Sequence, residues 1–185
     1  MPTFHLLNAG YGGNRVASTV SLIEADSSLI VIDPGMVAST SVILDPIREL
    51  GRAPEEVTDV VLSHHHPDHT INIALFSNAR VHDHWAIYKD DVWIKRSAEG
   101  FEVADRVTLW ETPGHTAQDI TTIVVDGDQT IAFTHLWWYE TAPYDDPLCT
   151  DPEGLHICRE RVLEVATLIV PGHGAPFVPG ESTSR

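Results

Sequence analysis

The run Ser63-His64-His65-His66-Pro67-Asp68-His69 limits what this chain can fold into more than any other segment. It spaces His64, His66, Asp68 and His69 as H-x-H-x-D-H, three imidazoles and a carboxylate within six residues. Imidazole suits zinc, iron and copper, and carboxylate adds a harder oxygen ligand. Histidines can also gather on a solvated loop. Here, however, Val57 to Leu62 leads into them with the pattern of a buried strand. A buried strand that ends in ligand-type side chains points to a metal centre at a strand end.

Three more histidines stand where apolar strands run out. His115 follows Thr112-Pro113-Gly114, His135 follows Ile131-Ala132-Phe133-Thr134, and His173 follows Leu168-Ile169-Val170-Pro171-Gly172. A glycine before a ligand lets the backbone turn sharply and approach closely. One strand-end histidine is usually structural; three of them beside the His64 to His69 cluster reverse that expectation.

The remaining chain reads as alternating strands and helices. Val16 to Ala25 and Ser28 to Asp33 form a hairpin around Asp26-Ser27-Ser28, and Asp33-Pro34-Gly35 stops the second strand. Thr40 to Leu50 has helical spacing closed by Gly51. Pro67 and Asp68 suit a helix start, so a short helix is expected over Asp68 to Phe76. A strand at Ala79 to Val81 and a short helix at Trp85 to Lys89 follow. Arg106 to Glu111 and Ile120 to Val125 are strands, and Thr130 to Thr134 pairs back across Asp126-Gly127-Asp128. Glu153 to Ala166 is a helix and Leu168 to Val170 a last strand. Such a mixture implies sheets covered by helices, with ligands at strand ends.

Composition bounds the function. With 185 residues, 43% of them hydrophobic, the chain is expected to form a single domain over 1–185 with a sizeable core. No apolar run approaches the ~20 residues of a membrane span. Met1-Pro2-Thr3-Phe4-His5 lacks the pattern of a secretory leader, so a cytoplasmic protein with Cys149 and Cys158 free is expected. The formal net charge of −16 argues against sequence-independent binding to nucleic acid and leaves a small-molecule substrate. Exposed tryptophans among the five would mark a homodimer surface; buried ones would belong to the core.

From about Phe4 to Phe177 the sequence resembles the metallo-β-lactamase fold superfamily. Asp33-Pro34-Gly35, the His64 to His69 run, Thr112-Pro113-Gly114-His115 and Pro171-Gly172-His173-Gly174 look like its successive motifs. The Asp68 to Phe76 stretch and the short chain look most like the small single-domain members, the metallo-β-lactamase domain-containing protein 1 group. The resemblance implies an α+β fold, a four-layer αβ/βα sandwich with the site at one edge. It assigns one metal to His64, His66 and His115, and a second to Asp68, His69 and His173. Zinc, one or two per chain, is the implied cofactor, with iron or manganese as alternatives. The implied chemistry is that of a binuclear hydrolase, in which the metals polarise a carbonyl or phosphoryl oxygen and acidify a bridging water. Asp68 would orient the resulting hydroxide, the catalytic role, while Asp33 would accept the second N–H of a ligand imidazole.

One position departs from the family. Where members usually carry an Asp that bridges both metals, this chain has His135. A carboxylate has two oxygens, whereas a neutral imidazole has one free lone pair. Leu136 to Cys158 then contains no Lys or Arg but carries Trp137, Trp138, Tyr139 and Tyr144 among five acidic residues. As a pocket wall, with Trp137, Trp138 and Tyr139 foremost, it favours a neutral or cationic substrate with an apolar body and offers no arginine clamp. Hydrolysis of an ester, lactone, thioester or amide is therefore the first expectation. A nuclease or phosphodiesterase, a mononuclear iron enzyme of the persulfide dioxygenase type, and a non-catalytic metal- or ligand-binding protein are the alternatives.

Overall fold

In the computed structural model, which describes residues 1–185, twelve strands form two sheets with helices on their outer faces. The first sheet begins with β1 (Thr3–Asn8), β2 (Val20–Ala25) and β3 (Ser28–Ile32), an antiparallel meander. Helix α1 (Ser41–Glu49) carries the chain across to β4 (Asp59–Val61), parallel to β3. The short helix α2 (Pro67–Thr70) precedes β5 (Arg80–His82), parallel to β4, and β6 (Ala86–Lys89) and β7 (Val92–Lys95) close the seven-stranded sheet as an antiparallel hairpin. The second sheet holds β8 (Glu102–Ala104), β9 (Val107–Glu111), β10 (Ile120–Asp126) and β11 (Gln129–Thr134). Helix α3 (Pro152–Leu163) leads to β12 (Leu168–Pro171), parallel to β11. No helix is long and apolar enough to cross a membrane.

Period-two alternation builds the layers. Ile23, Ile30 and Val61 of the first sheet meet Leu109, Ile120, Phe133 and Val170 of the second in the central core. The alternate residues Leu22, Val31 and Val60 pack outward on Ile43 and Ile47 of α1. On the far side, Ile123, Ala132 and Ile169 pack on Leu155, Cys158 and Val162 of α3. The result is helix, sheet, sheet, helix, the expected sandwich. Both cysteines are free.

Two local expectations are corrected. Trp85 to Lys89 is not a helix: Ala86–Lys89 is a strand, paired with the unanticipated β7 around an Asp90-Asp91 turn. Pairing with Val92-Trp93-Ile94-Lys95 and with β5 outweighed a short, weakly periodic helical reading. Nor is Asp68 to Phe76 one helix. The Asp68 carbonyl accepts from Met36 N–H (2.9 Å), while Asn72 N–H turns to Pro34 O (2.9 Å) and its amide to Gly35 O (2.6 Å). Helix α2 therefore stops at Thr70, and only a 3₁₀ turn over Ile73–Leu75 follows. The strand β8 was also not legible. His82 at the end of β5 is fully buried and meets Asp59 at 2.7 Å.

Asp83 ties the β5–β6 corner together. Its carboxylate accepts from His65 Nε2 (2.9 Å), Tyr88 OH (2.6 Å), and the N–H groups of Trp85 (2.7 Å) and Ala86 (2.8 Å). Burial alone would raise this carboxyl, but the four donors hold it down at about 2, below its ordinary 3.8. A depressed carboxylate contributes stability that is present above its unfolded pKa and lost as pH falls through the folded one. Asp83→Ala is expected to lower stability by about 1–3 kcal/mol at neutral pH. Urea unfolding should show that deficit shrinking between pH 4 and pH 2; a deficit that stayed constant would contradict the account.

Candidate metal centre

The seven candidate ligands singled out in the sequence, and Asp33 with them, gather at one end of the sandwich. Asp33 follows β3, His64 follows β4, and His66, Asp68 and His69 lie at the start of α2. His115 follows β9, His135 follows β11 and His173 follows β12. Chain ends of both sheets thus meet at a single edge, where α/β folds commonly bind ligands.

The loops are held by a dense backbone framework. Asp33 adopts a left-handed φ of 50°, costly for a residue with a side chain. Ser18 Oγ donates to its carbonyl (2.9 Å), its N–H donates to Val61 O (3.0 Å), and its Oδ1 accepts from Ser63 N–H (2.7 Å). Gly35 leaves no room for a side chain, because a Cβ there would overlap the Asp68 carbonyl. On the other side, Thr19 Oγ1 donates to Gly174 O (2.9 Å) and accepts from Gly174 N–H (3.0 Å). Beneath His115 and His135, the buried hydroxyls of Thr112, Thr121 and Thr134 link at 2.9 and 2.7 Å.

Two groups of ligand atoms result. His66 Nδ1 lies 3.0 Å from His64 Nε2 and 3.1 Å from His115 Nε2. His69 Nε2 and His173 Nε2 are 3.4 Å apart, with Asp68 Oδ2 at 3.6 and 3.5 Å from them. The opposite ring nitrogens face outward to acceptors. His69 Nδ1–H donates to Asp33 Oδ2 (2.9 Å), His115 Nδ1–H to Asp146 Oδ2 (2.8 Å), and His173 Nδ1–H to Ala17 O (3.0 Å). His64 Nδ1 pairs with Ser63 Oγ at 3.0 Å. With the protons of His69, His115 and His173 committed outward, their inward Nε2 atoms present lone pairs to the site. Such contacts repel unless a cation lies among them. Two nitrogens at ~2.0–2.1 Å from one tetrahedral zinc stand about 3.3 Å apart, close to the separations here. The residues therefore fit a metal.

Burial favours the neutral form of four of the rings. Burial, and then the neighbouring imidazoles, hold His64 and His135 well below the usual histidine range. Burial lowers His173 and His66 as well. A neutral ring is the ligand form. Asp146 is the reverse case: burial would raise its carboxyl, but hydrogen bonds led by that from His115 hold it below the ordinary value. Burial pushes Asp119, in the turn after His115, up to about 6 against the bonds from Thr116.

His135 sits between the groups. It is buried at the base of the site, with its Nε2 3.1 Å from His173 Nε2, and it forms triads within ligand reach both with His64 and His69 and with His115 and Asp146. Its Nδ1 has no partner. Its ring lies against Gly172, where any Cβ would strike the imidazole.

A cleft of about 350 Å³ opens onto these atoms. Its walls include Val16, Trp138 and Leu148, with Gly12 and Gly13 of the early glycine-rich loop. Of the three aromatic residues expected in the wall, only Trp138 lines it. Trp137 is buried against α3 and Phe177, with its indole N–H donating to Ser184 O (2.9 Å), and Tyr139 packs over Gly174. The tandem aromatics could not all face one side of a single turn.

Asp146 is the functional residue that sequence reasoning missed. It lay within an acidic loop, where nothing distinguished it from Asp145 or Asp151. Besides His115, its carboxylate accepts from Trp138 Nε1–H (3.0 Å) and Leu148 N–H (2.8 Å), so it fixes a ligand and the cleft wall together.

Residues 13–175 match the model of the metallo-β-lactamase superfamily. Metallo-β-lactamase domain-containing protein 1 of Xenopus laevis is 31% identical over 202 residues, 94% of this chain and 80% of the relative. A metallo-β-lactamase-type structure from Thermotoga maritima superposes with a TM-score of 0.77 at 22% identity, across 96% of this chain and 99% of the other. A dizinc quorum-quenching lactonase in complex with its product shares the fold at a TM-score of 0.61 and 18% identity, across 84% and 72% of the two chains.

Outward partners tune ligand strength as well as orientation. Asp146→Asn should weaken metal binding by roughly 10–100-fold, whereas Asp145→Asn should leave it unchanged. Competition with a chromogenic chelator measures both, and an Asp146→Asn protein with native affinity would contradict the geometry.

Proposed function

Because the chain belongs to the metallo-β-lactamase superfamily, we propose that it is a metal-dependent hydrolase of a neutral or cationic ester, lactone, thioester or amide. One observation carries this reading. The inward-facing nitrogens open into a cleft walled by Val16, Trp138 and Leu148, with no Lys or Arg among its lining residues. A polyanion would find no guanidinium or ammonium partner there.

His64, His66 and His115 would hold one cation, and Asp68, His69 and His173, with His135, a second. Such a cation, when bound, polarises a carbonyl oxygen and lowers the pKa of water at the site. Asp68, whose side chain is 19% exposed, orients the water and takes up its proton. Trp138 and Leu148 cover the apolar body of the substrate and keep bulk water from it. The family fold accommodates such chemistry in a lactonase.

Turnover of a chromogenic ester and lactone panel is expected, lost on chelation and restored by zinc, manganese or iron. Bis(p-nitrophenyl) phosphate should be turned over far less. No turnover with any of the three metals would sink the hydrolase reading.

The exchange at His135 sets the metal count. Asp68 is the only carboxylate among the seven ligand residues, so two dications would meet one negative charge. The imidazole also has a single lone pair to offer. Desalted native protein is expected to retain one tightly held cation per chain, and the His135→Asp variant two, by elemental analysis. Two retained in the native protein would remove this account.

The lost carboxylate bridge at His135 also favours a second reading, a mononuclear iron enzyme of the persulfide dioxygenase type, with Asp68 as the carboxylate among imidazoles. Oxygen uptake with glutathione persulfide, without ester turnover, selects it.

A further inference from the structure

The seven-stranded sheet ends at β7, and nothing covers that edge. Val92, Trp93 and Ile94 are 53%, 64% and 53% exposed. The other three sheet edges are blunted. A register shift between Leu6 and Asn8 interrupts β1, and β8 is a three-residue strand with its own shift. Ile169 of β12 exchanges two backbone hydrogen bonds of 2.9 Å with Phe177. By contrast, β7 runs in unbroken register with β6, from Ala86↔Lys95 to Lys89↔Val92. A regular, apolar, uncovered edge is a template for another strand.

We propose that this edge is the interface between two copies of the chain, paired antiparallel about a twofold axis through Trp93. The direction of the backbone groups supports that centre. Arg96 N–H donates inward to Trp85 O (3.0 Å), in line with the Ala86↔Lys95 register. Alternation along an antiparallel ladder then turns the polar groups of Val92 and Ile94 toward β6, and those of Trp93 and Lys95 toward solvent. An isologous pair centred on an outward-facing residue exchanges both of its bonds with its own copy.

The side chains are self-complementary about the same centre. Pairing Trp93 with Trp93 sets Val92 opposite Ile94 and Asp91 opposite Lys95. Neither Asp91 nor Lys95 has an ion-pair partner within its own chain, whereas the neighbouring Lys89 and Asp90 pair with each other. Both lysines of the chain lie on this hairpin, Lys89 at the end of β6 and Lys95 at the end of β7. On one face, Trp85, Trp93 and Lys95 frame a shallow depression, with Trp93 edge-on to Tyr88 at 5.0 Å. Two apposed Trp93 indoles would fill the two depressions.

Sedimentation of the full chain across micromolar to millimolar concentration tests the proposal. A concentration-dependent species at twice the 20.4 kDa chain mass is expected. Trp93→Lys, which sets like charges on the axis, should raise the dissociation constant by roughly tenfold or more. Asp91→Lys alone and Lys95→Asp alone should each weaken association, and the double exchange should restore it. All three positions of substitution are exposed, and far-UV circular dichroism verifies the fold of each variant. A chain that stays monomeric throughout overturns the proposal, as does a dimer indifferent to Trp93→Lys or a double exchange that fails to restore pairing. A monomer that instead captures a foreign extended peptide at β7 overturns it equally.

Discussion

The metal centre depends on protons being held away from it. Three acceptors from three parts of the chain do this: Asp33 after β3, the Ala17 carbonyl before β2, and Asp146 in the long loop after β11. Each fixes the tautomer of one imidazole and its rotation together. Three lone pairs and the Asp68 carboxylate are then turned toward one point, an arrangement suited to a cation. The strained φ at Asp33 and the overlap-free contact of Gly35 with α2 belong to the same device, because they place the acceptors where the rings need them.

His135 changes the balance of that site without changing its shape. It enters at the strand end where family members usually place a bridging carboxylate, and Gly172 makes room for the larger ring. An imidazole carries no charge when burial holds it neutral, and it can serve one cation at a time. Its other nitrogen is buried without a partner. The family scaffold is therefore kept, while the charge that would steady a second dication is reduced.

Charge also acts at the scale of the whole molecule. The net charge of −16 and the absence of Lys and Arg from the cleft lining both disfavour phosphate-rich ligands. The β6–β7 hairpin joins the uncovered edge to the metal loop. Trp85 stacks on His65 at 5.0 Å, and His65 stands between the candidate ligands His64 and His66 while its Nε2 bonds Asp83. The uncovered edge and the metal loop thus share the Asp83 corner.

Much of this was legible because ligand spacing and strand alternation are local properties. The H-x-H-x-D-H run, the glycine-led histidines, the hairpin at Asp26 and the helices α1 and α3 all follow from residues near in sequence. The Trp85 to Lys89 strand did not, since its pairing with β5 and β7 outweighed local propensity. Helix α2 stopped early because Met36 and Asn72 redirected its hydrogen bonds. Sequence by itself determined which residue types could bind metal, that a family carboxylate had become His135, and that two sheets would be covered by helices. Only the tertiary structure decided that Asp146 rather than its acidic neighbours would fix His115, that Trp138 alone of three aromatics would wall the cleft, and that β7 would end uncovered. Those outcomes depend on contacts between residues far apart in the chain, where direction and packing, not composition, select the partner.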